Sequence, residues 1–398
     1  MRNRELKYDY WIIGAYFILL GIGFFTRFNI ISSQPELTGM TKLIFLMGLS
    51  IFIVFLLLLF GSTKFISISF SLIFFAIVIA LIYLITAGEV INGAKRFLLI
   101  SGFSLQPSLI IKVLLIFYSA KYISNKQEKF ENIESDFSYR RLDYFGKYWF
   151  DIKFFFLNYW RLLTIFGILY LMIIIQPHLS IIIISSLTII WMLWFGNVKT
   201  RTLLTLFFAG LFIIFLILHF GKEYRGRRLM IYKKYNLISR IVSKNNLPIS
   251  FGKENIEGER QVRESLAALS KGEVFGTFSM SKEEYLSESS TDYIFSVIGE
   301  QGGFFLTIIL FVLYSLIFYK TVSHAYLQKD SYKRILLIGL GLNIYINVLI
   351  NTGVAMSILP STGVTLPLIS SGGSSIIANS ICIGMILNLS KTKERVVR

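Results

Sequence analysis

Cysteine, proline, histidine and charge are all scarce in this chain of 398 residues. The single cysteine, Cys382, excludes an intrachain disulfide. Three histidines without ligand spacing leave no zinc-type cluster to expect. Six prolines against 37 phenylalanines exclude collagen-like and proline-rich disordered chains. Charged residues make up only 16%, where a globular chain is nearer ~25%. There is no phosphate-loop, zinc-ligand or nucleophile-elbow pattern, no internal repeat and no long low-complexity tract. What remains is apolar: 55% hydrophobic and 16% aromatic residues, with a mean hydropathy of +0.66. The 40 Lys+Arg against 23 Asp+Glu give +17, which alone would suit a nucleic-acid binder. The apolar runs are too long for a soluble core, so the solvent for most of this chain is lipid.

A transmembrane helix needs roughly 20 mainly apolar residues to cross ~30 Å of hydrocarbon. Ten segments qualify: 10–25, 43–60, 65–86, 107–120, 162–175, 179–195, 202–220, 293–318, 335–352 and 373–389. The fourth and fifth are short. The first follows Arg2, Arg4 and Lys7 without a small-residue cleavage site, which reads as a retained helix, a cleaved signal peptide being the alternative. The expected fold is an all-α polytopic membrane protein forming one domain over 1–398, with a basic and aromatic loop at 121–161 and a large loop at 221–292.

Ten spans put both termini on one side, and basic residues in short loops favour the cytoplasm. One set of ends and loops holds 22 basic residues, the short loops opposite hold four (Arg27, Lys42, Lys95 and Arg96). Both termini are therefore expected in the cytoplasm and the 221–292 loop outside. Its 13 basic and 10 acidic residues carry little weight, because long loops translocate largely regardless of charge. Sorted this way, the +17 is a topology signal with a smaller outer surplus, and nucleic acid drops out as a partner. Within 121–161, Phe145, Trp149 and Phe156 suit an amphipathic helix on the inner leaflet, or an ordinary cytoplasmic loop. The outer loop opens with Lys222, Arg225, Arg227, Arg228, Lys233 and Lys234, either a solvated run or a surface for anionic lipid headgroups.

Four polar clusters lie in or beside the apolar segments, where such groups are costly and tend to be functional. The first runs from Gly93-Ala94-Lys95-Arg96 to Gln106-Pro107-Ser108 and Lys112. Lys112 has no neighbouring charge in sequence and needs a partner in space. Lys95 and Arg96 fit either a binding site or snorkelling to headgroups. The second is Gln176-Pro177-His178, whose histidine reads as a polar turn residue rather than a metal ligand. The third is Thr291-Asp292-Tyr293-Ile294-Phe295 followed by Gly299-Glu300-Gln301. Thr291 or Asp292 could simply cap the following helix, or belong to a functional polar cluster, and Glu300 is the candidate partner for Lys112. The fourth, from Asn351 to Ser375, has glycines, prolines and hydroxyls but no charge, and suits a re-entrant loop.

In this order and between these spans, the clusters resemble the SEDS family (shape, elongation, division and sporulation), which includes the RodA, FtsW and SpoVE proteins. The stretch Asn351–Ser375 is close to the family pattern N-x-G-x-x-x-x-L-P-x-T-G-x-x-L-P-x-x-S-x-G-G-S-S. Residues 261–276, with Glu264-Ser265, Ala268 and Gly272, resemble its Q-S-x-x-A-I-x-x-G-G-x-x-G. The resemblance covers about Gly93 to the last span. It implies a peptidoglycan glycosyltransferase that polymerises lipid II at the outer face of the bacterial cytoplasmic membrane, for cell shape, division or sporulation. It implies a class B penicillin-binding protein as partner, and places the family's proposed catalytic aspartate on Asp292. A carboxylate there suits a general base for the acceptor hydroxyl. The leaving pyrophosphate needs cations or a divalent metal ion, and no other cofactor is expected. Lys95, Arg96, Lys112, Glu300, Ser370 and Ser374 are the expected substrate-binding residues. Two family acids are missing: after Q-P-S stands Leu109, and Q-P-D reads Gln176-Pro177-His178. A divergent member is the reading, with two alternatives, a lipid II flippase and a membrane scaffold that no longer polymerises.

Overall fold

The computed structural model describes residues 6–32, 37–60, 63–89, 95–100, 103–135, 137–176, 178–219, 230–236, 257–277 and 291–393. Gly93-Ala94, Pro177, the basic residues 222–228 and Ser289-Ser290 lie outside them. All ten expected apolar segments are helical: α1 (Tyr10–Ser32), α2 (Leu37–Phe60), α3 (Thr63–Ala87), α4 (Pro107–Ser124), and, after the short α5 (Gln127–Glu131) and α6 (Phe137–Arg140), α7 (Tyr144–Ile175), α8 (Leu179–Phe195) and α9 (Thr200–His219). Then come α10 (Glu257–Lys271), which is not apolar, and α11 (Ile294–Leu327), α12 (Ser331–Ala355) and α13 (Gly373–Leu389). Among the described residues, seven helices have the length and composition to cross a membrane, and α8, α9 and α13 are shorter apolar helices. The chain is a multi-pass membrane protein.

α4 and α12 form the centre. Their apolar windows are 72% and 83% buried, against 22% and 17% for α2 and α3. α12 packs on α4, α8, α11 and α13, while α2 lies along α13. Pro107 opens α4, where its missing N–H costs nothing. Asp330 caps α12 by accepting from the Tyr332 N–H at 2.9 Å, and Asp143 caps α7 by accepting from Gly146. Some polar groups inside the bundle are paired across helices: Tyr16, Ser50 and Ser380 link α1, α2 and α13 at 2.8 and 2.7 Å. The strand Leu6–Lys7 pairs antiparallel with Thr392–Lys393, joining the two ends of the bundle. A second two-stranded ribbon, Leu98–Ile100 with Phe103–Leu105, leads into α4.

Two expectations change. Phe145, Trp149 and Phe156 do not sit on a separate interfacial helix but on the first half of α7, which runs unbroken into the span. No proline interrupts 144–175, and the buried stripe Asp151, Phe155, Tyr159, Leu162, Phe166 keeps helical spacing throughout. At 1.5 Å per residue α7 is roughly 48 Å long and outreaches ~30 Å of hydrocarbon. Lys112 does not pair with Glu300. Its ammonium donates to Asn347 Oδ1 on α12 at 3.1 Å, and Asn347 is in turn held by Asn343, whose amide donates to Cys382 Sγ. A neutral amide satisfies the buried cation where a carboxylate was expected.

Candidate active site

The stretch between α12 and α13 is not helical, so its carbonyl groups need donors from elsewhere. They find them on side chains. Asn351 donates to Val364 O at 2.6 Å, Tyr314 to Pro367 O at 2.5 Å, Tyr232 to Ile358 O at 3.0 Å, and Ser180 to Thr362 O. Ser370 Oγ accepts from the Leu366 N–H at 2.8 Å and closes the turn. The expected re-entrant loop is thus tied to helices on three sides.

The same two residues that order this loop also hold the third cluster. Asn351 Nδ2 donates a second bond, to Asp292 O at 2.8 Å, and Ser370 Oγ donates to Thr291 O at 2.6 Å. The backbone of Thr291-Asp292 is therefore clamped from α12 and from the loop, 59 and 79 residues away in sequence. Asp292 is not a helix cap: Tyr293 is the N-cap of α11 and accepts no capping bond through its side chain. The Asp292 carboxylate faces Gly363, where a Cβ would stand 3.5 Å from Oδ2. Gly363 has φ +73°, a left-handed conformation that glycine adopts without steric cost.

Asp292 opens into a cavity of about 450 Å³. Its polar wall includes Arg96, Gln106, His178, Ser361 and Ser374, and its apolar wall includes Phe45, Leu46 and Leu49 of α2 with Ile377 of α13. Of the expected site residues, Asp292, Arg96 and Ser374 line it. Lys95 precedes Arg96 in the chain but is not in the wall. Ser370 stands behind it, holding Thr291. Ser374 Oγ accepts from the Gln106 N–H at 2.6 Å, which fixes the ribbon carrying Arg96 onto the start of α13. Lys112 and Glu300 are both buried away from the cavity.

His178 is buried at the start of α8, with Nδ1 2.9 Å from Gln106 Nε2 and 3.2 Å from Ser108 Oγ. It is a turn residue, as expected, and also part of the wall. Leu109, the other position where the family acid is missing, lines the same wall.

Two lining residues escaped the sequence reading as site residues. Lys42, on the first turns of α2, brings a second cation to the cavity, and Gln261, on α10, brings an amide. Neither side chain has a hydrogen-bond or ion-pair partner among the described residues. Lys42 was visible only as one of four outer-side charges, and nothing in its local sequence marks it.

Besides Thr291 and Asp292, α10 is a described part of the 221–292 loop that reaches the site. Val262 and Leu266 of α10 cluster with Ile231, Tyr235, Tyr293 and Val354, so residues 230–236 and α10 pack together against Tyr293, the neighbour of Asp292. Lys234 Nζ and Tyr235 Oη both donate to Glu259 Oε1, at 2.6 and 2.7 Å. The hydrogen bond from Lys234 holds the Glu259 carboxyl below the usual carboxylate range, and the same bond raises Lys234. Past α10, the turn 272–276 meets α11 backbone to backbone. A Cβ on Gly272 would lie 1.9 Å from Gly299 O, and one on Gly303 2.4 Å from Gly276 N. Gly303, at φ +64°, breaks α11 so that Phe304 N and Phe305 N donate to Glu273 O and Val274 O instead. The glycines of the 261–276 motif are thus the places where two backbones touch.

A sequence profile of the cell cycle protein family comprising FtsW, RodA and SpoVE matches residues 8–395. The probable peptidoglycan glycosyltransferase FtsW of Wigglesworthia glossinidia brevipalpis is 29% identical over 313 residues, 77% of this chain and 72% of that protein. That of Legionella pneumophila is 26% identical over 399 residues, covering 96% and 90%. Among solved structures, a variant of the Thermus thermophilus rod shape determining protein RodA matches with a TM-score of 0.63 at 20% identity, covering 97% of this chain and 98% of that one. A chain described in connection with polymerisation and crosslinking by a peptidoglycan synthase complex gives 0.69 at 22%, with the same coverage.

Proposed function

This chain belongs to the FtsW, RodA and SpoVE family of cell cycle proteins, and from that premise we propose that it polymerises lipid II into glycan strands at the outer face of the bacterial cytoplasmic membrane. The observation that carries the reading is the placement of Asp292, clamped by Asn351 and Ser370, in a cavity with Arg96, Lys42 and an apolar wall. Asp292 acts as general base, taking the proton of the acceptor sugar hydroxyl as its oxygen attacks the donor's anomeric carbon. The bond that breaks joins that carbon to a polyprenyl pyrophosphate, whose developing charge meets the Arg96 guanidinium and the Lys42 ammonium. The polyprenyl tail leaves along Phe45, Leu46, Leu49 and Ile377.

A divalent cation does not fit the described wall. Asp292 is its only carboxylate, Leu109 and His178 stand where the family has acids, and no three metal-ligating side chains gather among the described residues. No step is routed through a metal here.

The charge sorting supports cytoplasmic termini and an outer 221–292 loop. Lys42, Arg96, Gln261 and Asp292, all assigned outside by that sorting, converge on one cavity, which supports their lying on the same side of the membrane. A class B penicillin-binding protein is the expected partner, an assignment supported by the relationship to a chain of a peptidoglycan synthase complex.

The test is polymerisation of labelled lipid II by the purified chain with its partner, wild type against Asp292→Asn. Loss of a general base costs about 10²–10⁴-fold. Equal glycan synthesis by both would refute the assignment of Asp292. No product from wild type would favour a scaffold, to which Leu109 and His178 in the cavity wall already point.

A further inference from the structure

α11 changes character at Gly303. From Tyr293 to Gln301 every residue is buried, so this part has no face for lipid. Beyond Gly303 an apolar stripe is exposed at helical spacing: Phe304, Phe305, Ile308, Val312, Tyr319 and Tyr326. From Phe304 to Tyr326 it is roughly 33 Å long at 1.5 Å per residue, one hydrocarbon thickness of ~30 Å. Charge and an exposed tryptophan mark its far end, as at a membrane–water interface. There Asp9 Oδ2 lies 2.8 Å from His324 Nε2 and 3.6 Å from Lys320 Nζ, and the Lys320 ammonium stands over the exposed Trp11 ring. With that edge placed, the opposite edge of the hydrocarbon falls at Phe304 and Phe305.

The turn 272–276 docks at that same level. Phe304 N and Phe305 N donate to Glu273 O and Val274 O at 2.9 and 3.1 Å, and Gly276 N donates to Gly272 O at 2.8 Å. The exposed residues just before the turn, Ser270 and Lys271, are polar. At its tip the pattern reverses, and among the described residues Val274 and Phe275 are exposed, at 54% and 70%. Two observations say what covers this pair. It adjoins Phe304 and Phe305, so it prolongs the stripe that lipid covers. Three successive carbonyls, of Gly272, Glu273 and Val274, are bonded within the protein, which backbone at the edge of the hydrocarbon requires and backbone in water does not. We propose that Val274 and Phe275 are a membrane anchor, seated among the acyl chains just beneath the headgroups of the leaflet on the Asp292 side. The surface of that leaflet then sets the height of α10 and of the arm that carries Asp292. The inference concerns the position of the turn in the bilayer and stands apart from the polymerase reading.

The experiment places a nitroxide on the full chain in vesicles of phosphatidylethanolamine and phosphatidylglycerol, alone and with the class B penicillin-binding protein. Cys382 is the single cysteine and is buried, so a Cys382→Ser background allows one label at a time, at Val274→Cys or Phe275→Cys. Val312→Cys is the reference for lipid and Lys271→Cys the reference for water. Collisions with molecular oxygen, which partitions into acyl chains, are compared with collisions with a water-soluble nickel chelate. The ratio of oxygen to nickel collisions at 274 and 275 is expected to be several-fold above that at 271 and to approach that at 312. Both side chains are exposed, so the labels should leave the melting temperature unchanged, and the two positions check each other. A ratio at 274 and 275 equal to that at 271 overturns the proposal, because the turn then stands in water. Shielding of both positions from both reagents overturns it too, because a second copy or the partner then covers the turn in place of lipid.

Discussion

Replacing Asn351 by leucine separates the chemistry of the site from its support. Asn351 is fully buried, and its one amide nitrogen donates to both Asp292 O and Val364 O. Leucine fills a similar volume and donates nothing. One buried carbonyl, of Val364, and one half-buried, of Asp292, then lose their donor, each at a cost of at most about 1–3 kcal/mol. The sum, at most about 2–6 kcal/mol, is comparable with the whole net stability of many folded proteins. Ser370→Ala removes the donor to Thr291 O and the acceptor for Leu366 N, and is expected to fall at about half that cost or below. Asp292→Asn is expected to change stability least, because it keeps the size of the side chain and leaves the backbone bonds to Asn351 and Ser370 in place. The ranking in thermal unfolding of the purified protein is therefore Asn351→Leu, then Ser370→Ala, then Asp292→Asn. For polymerisation the order changes: Asp292→Asn is the most impaired at temperatures where all three remain folded. A melting temperature for Asn351→Leu equal to wild type would refute the clamp, since the buried Val364 carbonyl cannot lose its donor without cost.

Two further outcomes follow from the same geometry. Lys112→Met keeps the length of the side chain and removes a buried charge held by one neutral amide, so thermal stability should be unchanged or raised. Polymerisation should survive in that variant, and a loss of more than tenfold at full stability would return Lys112 to the mechanism. Beside the cavity, Glu259 titrates lower in the folded chain than in the unfolded one, so its contribution is present above the ordinary carboxylate pKa and lost as pH falls through the lowered value. Lys234 is raised, so its contribution is complete below the ordinary lysine pKa and fades only as pH rises beyond it. The protection factors of residues 230–236, which correct exchange for its intrinsic rise with pH, should accordingly be flat across neutral pH and fall only as pH drops below the ordinary carboxylate range. A marked change between pH 6 and 8 would contradict it.

The spans were legible because lipid demands long apolar runs, and such runs need no partner to be recognised. Proline at the start of α4 and the capping aspartates mark ends for the same local reasons. The third and fourth clusters were each legible as unusual, but their union was not: only the fold shows Asn351 and Ser370 gripping the backbone at 291–292. The expected Lys112–Glu300 pair failed because the cost of a buried cation fixes the need for a partner without fixing its chemistry, and Asn347 meets that need. Lys42 and Gln261 were hidden for a different reason. Each sits at an ordinary helical position, and its role comes from which cavity the helix borders.

Gly303 turns the first part of α11 into a lever. Eleven residues separate this break from Asp292, roughly 15 Å at 1.5 Å per residue. Rotation of only about 10° at the break would swing the carboxylate through about 2.5 Å, where misplacement of ~1 Å can cost 10²-fold in rate. The turn 272–276 grips this arm beside its pivot through bare backbone, with no side chain between to absorb a displacement. The bonds from Asn351 and Ser370 to residues 291–292 are then what keep the far end of this arm in aim, so the precision of the base depends on both ends of the arm being held.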